Sequence, residues 1–282
     1  MKNAFSILIL LLCFNYPDAF GQAGKTEESV LRVAYEFTQT DEKGRSRTDT
    51  MYLDIGRSVS VFYDATKDRK SGEELKIRSA SRANKAGFKS NALAERLALN
   101  NPKDIKRPGN NMLYFYIYKD RTTSETITLH ELAETMKAIF REGNDLQTWN
   151  LTGEKIDIMG YPCEGAESSF RGRDYVAWYS QDIPLNDGPW KFQGLPGLIL
   201  QIRSADGQIA FKVIGIESIE GDSVQVPDDS SFEKMKTLKD MINYQQEESL
   251  AHSLYMILGE DGLNCLYRDP DAWYPVQIET EF

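Results

Sequence analysis

The sequence predicts a mainly β protein of the α+β kind: a strongly curved antiparallel sheet with a helical insert and a C-terminal helix. Three observations lead there. Apolar residues alternate with polar ones through Leu31 to Phe37, Met51 to Ile55 and Val59 to Tyr63, the period of strands. Asp206-Gly207, a favoured tight-turn pair, separates the apolar runs Leu198 to Ile202 and Ile209 to Ile216, which reads as a β-hairpin. Near the C-terminus the apolar residues change to helical spacing.

In chain order, Lys2, the apolar run Phe5 to Phe14 and the small-x-small triplet Ala19-Phe20-Gly21 read as an export signal over residues 1–21, with the mature chain starting at Gln22. The run is too short to span a bilayer. Cys13 follows Leu12 and lies inside the apolar core of the signal, which argues against a lipid anchor. A β domain is then expected over 22–225, its first hairpin closed by Asp41-Glu42-Lys43-Gly44.

Residues 65–108 break the strand rhythm with 12 basic and 5 acidic residues and a helix-like run from Ala92 to Leu99. This insert is either a solvated excursion docked on the acidic body or a partner-binding lid. After it, Met112 to Tyr118 alternates Leu113, Phe115 and Ile117 with Tyr114, Tyr116 and Tyr118, so both faces want cover. The tyrosine stripe is either a platform for an apolar or sugar ligand or ordinary cross-strand packing. Trp149, Leu151, Ile156 and Ile158, and then Tyr175 to Tyr179, extend the sheet. Residues 226–282 are expected to form a helix and tail packed on it. Ser230 and Glu233 have the spacing of a capping box, Phe232, Met235, Leu238, Met241, Ile242, Leu250, Leu254 and Ile257 trace an apolar stripe, and Gly259 supplies the stop.

Gly188-Pro189-Trp190-Lys191-Phe192-Gln193-Gly194-Leu195-Pro196-Gly197-Leu198 carries the densest backbone punctuation in the chain. Pro196 fixes its own φ and holds Leu195 extended between Gly194 and Gly197, which makes a bend before the strand. Gly160, Tyr161, Pro162 and Cys163, then Trp178 and Pro184, precede it. These residues serve either as architecture or, through Trp178, Trp190 and Phe192 at the mouth of a bent sheet, as a partner contact.

The run from Gly194 to Ile199 resembles the signature of the GLPGLI family, secreted envelope proteins of Bacteroidetes-type bacteria. Trp149, Ile156, Gly160-Tyr161-Pro162-Cys163, Ala166, Phe170 to Arg173, Ala177-Trp178-Tyr179 and Ile183-Pro184 fall in the order that family shows. The resemblance is strong from about Trp149 to Leu200. Gly165 departs from it, standing where a lysine is expected. The resemblance implies strands through Thr126 to Arg141 despite the helix formers there. It also implies an exported protein of the periplasm or outer membrane of a Gram-negative bacterium, acting beside an outer-membrane uptake system. The strands look like the N-terminal domain of certain bacterial peptide N-glycosidases too, which brings in a rival reading as a hydrolase or accessory domain acting on glycopeptides or peptides.

Motifs for chemistry are sparse. His130-Glu131-Leu132-Ala133-Glu134 begins like a zinc-protease motif, but Glu134 stands where the second histidine belongs. No metal or cofactor is expected. Cys163 and Cys265 either pair or stay free and buried. Asp182 and Asp187 read as solvated loop acids without a catalytic task. A formal net charge of −10 disfavours nucleic acid and anionic membrane as partners. The expected function is therefore non-enzymatic binding of a ligand or protein partner.

Overall fold

In the computed structural model, the structure describes residues 26–65, 115–133, 136–144, 147–219, 223–226, 228–244 and 278–279. The export signal, the basic insert with its helix-like run, and Cys265 lie outside the described residues, apart from Ala65 at the start of the insert.

The expectation of a mainly β protein holds. Strands β1 (Thr26–Thr40), β2 (Ser46–Gly56) and β3 (Val59–Asp64) form a meander. After the insert, β4 (Phe115–Asp120), β5 (Glu125–Ala133) and β6 (Met136–Gly143) extend it on the β3 side. On the other side β1 pairs with β11 (Ile209–Ser218), followed by β10 (Leu198–Ser204), β9 (Arg173–Ser180), β8 (Tyr161–Phe170) and β7 (Asn150–Ile158). β12 (Ser223–Gln225) pairs with the start of β1, and β13 (Glu233–Lys234) runs parallel to β6. Among the described residues the result is one open sheet of 13 strands with β7 and β13 at its ends.

In the β3–β6 half both sides of the sheet are covered, so the alternation there does not mean that one side is wet. Val33, Tyr35, Phe37, Leu53, Phe62, Ile117, Tyr175, Ile202 and Phe211 belong to the main core. On the opposite side of the β3–β6 half, Val61, Tyr63, Tyr118, Ile127, Leu129 and Ile139 form a second core with Val224 and Val226, and Tyr116 packs against it. Tyr114 lies outside the described residues; the other two tyrosines of the stripe are cross-strand packing, with Tyr116 stacked on Tyr63 at 6.1 Å and on Tyr118 at 6.4 Å. Arg32, in the polar phase of β1, is buried with Asp54. The pair is bidentate at 2.7 and 2.9 Å, and Tyr63 joins both partners. A buried charge persists where its hydrogen bonds are met in this way.

Residues 126–133 and 136–141 are strands because Ile127, Leu129 and Ile139 reach the second core together. The C-terminal helix is corrected at its start. Ser230 sits in a 3₁₀ turn capped by Asp228, and Glu233 lies in β13, so the Ser230/Glu233 box does not form. Residues 238–244 (α1) begin instead after Thr237. Thr237 Oγ1 accepts from the Asp240 amide and Asp240 Oδ2 accepts from the Thr237 amide, both at 3.1 Å, which is the reciprocal geometry of a capping box. Leu238 and Met241 bury against Ala138 and Phe140 of β6. Leu250, Leu254, Ile257 and Gly259 lie outside the described residues. Among the described residues no helix is long and apolar enough to cross a membrane.

Candidate functional site: the motif segment and the outer hairpin

Between β9 and β10 the chain folds back across the main core. Leu185 and Asp187 donate two residues back, to Ile183 and Leu185 at 2.7 and 2.8 Å, a pair of tight reversals. Leu198 and Ile199 of β10 then donate to Ile183 and Asp187, both at 3.0 Å, which ties the segment to the strand it precedes. Trp190 is 3% exposed and Phe192 fully buried. Phe192 makes edge contacts with Trp190 at 5.1 Å and Tyr175 at 4.8 Å. Such aromatic burial makes the segment part of the core. Gly194, with φ +100°, sits under the Trp149 ring, whose Nε1 donates to the Gln193 carbonyl at 2.7 Å. Gly197 has no positive φ; its requirement is space, since a Cβ there would lie 2.2 Å from the Ser180 carbonyl oxygen.

Two buried charge clusters hold this segment down. Lys119 of β4, fully buried, ion-pairs with Asp187 and donates to the carbonyls of Gly188 at 2.5 Å and Phe192 at 3.4 Å. Arg121 reaches the second Asp187 oxygen at 3.1 Å and the Gly56 carbonyl at 2.7 Å. Burial lowers the Lys119 ammonium pKa, opposed by the Asp187 charge. Tyr35 donates to the Ile199 carbonyl at 2.6 Å, and burial, then the charge of Asp187, lifts its phenol well above the usual value. In the second cluster, Lys191 Nζ lies 2.6 Å from Glu142 and 2.8 Å from Glu279. Arg171 pairs with Glu142 and lies 3.8 Å from Glu279. Burial raises the Glu279 carboxyl pKa, with Lys191 opposing. Two acids and two cations balance, and the carboxylates are occupied in binding the segment to β6, to the β8–β9 turn and to the chain end at 278–279. Their arrangement is that of a clamp.

The reading of Asp187 as a solvated loop acid is thus overturned: it is 1% exposed because it neutralises Lys119. Asp182 is exposed, as expected. Cys163 is a free, buried thiol, pushed up to about 11 by burial, with its Sγ 3.4 Å from the Tyr161 carbonyl. Trp178 is 8% exposed beneath the Arg203 guanidinium at 5.7 Å. Of the motif residues, Gly188, Pro189, Phe192, Leu195, Gly197 and Leu198 are buried in one place, while Pro184, Gly194 and Pro196 surface. Gly160 and Tyr161 are elsewhere, at the turn of the β7–β8 hairpin.

That hairpin is the second candidate. Met159 and Gly160 have φ of 54° and 84°, the two-residue turn that matches strand twist. β7 is exposed at eight of its nine residues. Leu151 is 63%, Ile156 39% and the turn residue Met159 54% exposed. Between Leu151 and Lys155 the register shifts, and the Thr152 hydroxyl lies where a side chain at Gly165 would go.

A family model described as a protein of unknown function, Porph_ging, matches residues 135–201. That span runs from β6 to the start of β10 and contains both candidates. No curated protein matches the chain. Among solved structures, two crystal forms of PNGF-II align at 15% and 16% identity with TM-scores of 0.49 and 0.48. They cover 78% and 77% of this chain but 33% and 34% of PNGF-II, so the chain spans about a third of the length of those structures. A LolA superfamily protein from Nitrosomonas europaea aligns at 7% identity and a TM-score of 0.28, over 71% of this chain and 89% of its own.

Sequence reading missed Lys119, Arg121, Glu142 and Glu279, and gave Arg171 only a place in the family order. One signal was available: Lys119 stands in phase with Phe115 and Ile117, where an apolar residue belongs. A lysine at such a position calls for a buried acid elsewhere in the chain. Among the described residues no three His, Cys, Asp or Glu side chains are grouped to hold a metal.

Proposed function

We propose that this is an exported, non-enzymatic protein of the cell envelope, of the GLPGLI type, which binds a polypeptide partner along the outer edge of its β7–β8 hairpin. In this reading residues 1–21 are the signal, 22–225 the strongly curved sheet with its basic insert, and 226–282 the helix and tail packed on it. The protein works in the periplasm or at the outer membrane of a Gram-negative bacterium, beside an uptake system. The motif, Gly160, Tyr161, Cys163, Trp178, Pro184 and Gly188 to Leu198, is the frame that holds that hairpin in place.

The carrying observation is β7: an end strand exposed over eight of nine residues, with Leu151 and Ile156 in water. Exposed edges pair with other chains, and proteins that bind by strand addition use them so. The convergence of Glu142 and Glu279 on Lys191 favours a hydrolase acting on glycopeptides or peptides instead. Against it, both carboxylates are engaged by cations, whereas a general acid needs an oxygen facing substrate.

The test is a photo-crosslinking amino acid in place of Ile156 in cells that export the full chain, with Gln208 on the β10–β11 turn as control position. An adduct to a polypeptide at 156 and none at 208 is the expected result. Equal yields at the two positions, or none at 156, overturn the reading.

A further inference from the structure

The outer edge of β7 is self-complementary, and we infer that the polypeptide it takes is a second copy of this chain, paired antiparallel about a two-fold axis at Ile156. This rests on the partner-binding reading above and names the partner. The turn sets which main-chain groups of β7 face outward. In a two-residue hairpin the flanking residues, Ile158 and Tyr161, exchange main-chain hydrogen bonds, and bonded and non-bonded pairs then alternate. Asp157 opposite Pro162 is therefore a non-bonded pair. The Pro162 carbonyl agrees, for it accepts from Ser180 Oγ at 2.8 Å on the β9 side, away from β7. The N–H and C=O groups of Asp157, and by the same alternation those of Lys155, point outward from the sheet.

The length of usable edge limits the occupant. Leu151 lies opposite Ala166 and Lys155 opposite Glu164, so Thr152, Gly153 and Glu154 together face Gly165 in a bulge. Bulges end regular pairing. Only Lys155 to Ile158 offer a straight edge, too little for a long strand of another protein but enough for a short symmetric contact. A two-fold axis normal to the sheet keeps each residue on its own side, so it must pass between two copies of one residue. Centring it on Lys155 or Asp157 sets like charges face to face, which is unfavourable. Centring it on Ile156 sets Lys155 against Asp157 of the other copy, twice.

That register brings together the exposed Lys155, Ile156 and Asp157 of the two copies. The outward groups of Lys155 and Asp157 become the hydrogen-bonded pairs between copies. Ile156 meets its own counterpart in a non-bonded pair, where side chains approach most closely. Asp157 already accepts from the Gly160 amide through Oδ1 at 2.9 Å, and its second oxygen can take the lysine. Lys155 lies 3.5 Å from Glu164 of its own chain, a loose, exposed pair from which its ammonium can turn to the other copy.

The experiment is sedimentation of the mature full chain and of two single variants, Lys155→Glu and Asp157→Lys, each checked for wild-type melting. Wild type is expected to self-associate weakly, at roughly 100 micromolar, because the contact is far smaller than the standard interfaces that bind at micromolar or tighter. Each variant alone puts like charges across both pairs and should associate at least tenfold more weakly. An equimolar mixture of the two variants sets the introduced glutamate of one against the introduced lysine of the other, and leaves the native Asp157 of the first facing the native Lys155 of the second. It should associate like wild type. Wild type that stays monomeric at ten times that concentration, variants that associate like wild type, or a mixture no tighter than its components would each overturn the inference. A crosslink from position 156 to a polypeptide of another mass, with wild type monomeric, overturns the second copy while leaving the partner-binding reading intact.

Discussion

Asp187→Asn removes one charge from the Lys119 pair and keeps the volume and one acceptor of the side chain. Lys119 has no exposed surface and Asp187 almost none, so the ammonium left behind cannot be rehydrated in place. Removing one partner of such a pair costs about 3 to 5 kcal/mol. The lysine can instead give up its proton. From an ordinary pKa of about 10.4 that costs roughly 4.6 kcal/mol at pH 7, which caps the penalty in the same range. Urea unfolding of the mature protein should show the midpoint falling by about 1 to 2 M for a slope near 3 kcal/mol per M. The deficit should also shrink with rising pH. A buried lysine of lowered pKa binds fewer protons folded than unfolded, so stability rises between the folded value and about 10.4, by up to about 1.4 kcal/mol per pH unit. Lys119→Met added to Asp187→Asn removes the orphaned cation and should be more stable than Asp187→Asn alone. A loss below about 0.5 kcal/mol that does not vary with pH would mean that Asp187 is a surface acid after all.

Gly197→Val should lower stability by about 1 to 3 kcal/mol, because the new Cβ meets the Ser180 main chain, which cannot rotate away as a side chain would; unchanged thermal melting would contradict the close approach. Glu279 has a folded pKa raised by burial, so the folded state binds the extra proton and the stability it contributes is full below about pH 4.3 and lost as pH rises through the folded value. Calorimetry of Glu279→Gln between pH 4 and 7 should therefore show a flatter pH dependence than wild type, and parallel curves would remove Glu279 from the clamp. Intact mass of the exported protein should give a chain starting at Gln22; a lipid-modified Cys13 would refute the signal reading.

Much of the sheet was legible because period-2 alternation survives whatever covers the strands. Leu31 to Phe37, Met51 to Ile55 and the β10–β11 hairpin stand where the pattern put them, although the hairpin closes through a four-residue turn, 205–208, in which only Gly207 has a positive φ. What alternation cannot carry is the second cover. Arg32 reads as solvent-facing on β1, yet it is 8% exposed, because Asp54 and Tyr63 from neighbouring strands complete its hydrogen bonds. The C-terminal helix start went wrong for a local reason: Ser230 and Glu233 have the capping spacing, but Asp228 already caps a short turn there and β13 claims Glu233 for the edge of β6. Thr237 with Asp240 has the same spacing and does form the box.

The motif segment follows a different logic. Its glycines and prolines were conspicuous, and they do fix the path: Gly197 lets β10 begin against Ser180, and Gly194 turns under Trp149. Punctuation of that kind permits a path without holding it. The holding is done by Lys119 from β4, Glu142 from β6 and Glu279 from the chain end, each far from the motif in sequence, and by Arg171 from the β8–β9 turn within it. A charge buried by itself would be prohibitive, so each of these residues ties the stability of its own strand to the seating of the segment. The consequence reaches β7. The segment accepts the bond that fixes Trp149, and Trp149 immediately precedes β7. An outer strand with so little burial of its own keeps its position because the motif anchors the residue before it. The exposed edge and the buried signature are thus two ends of one mechanical unit.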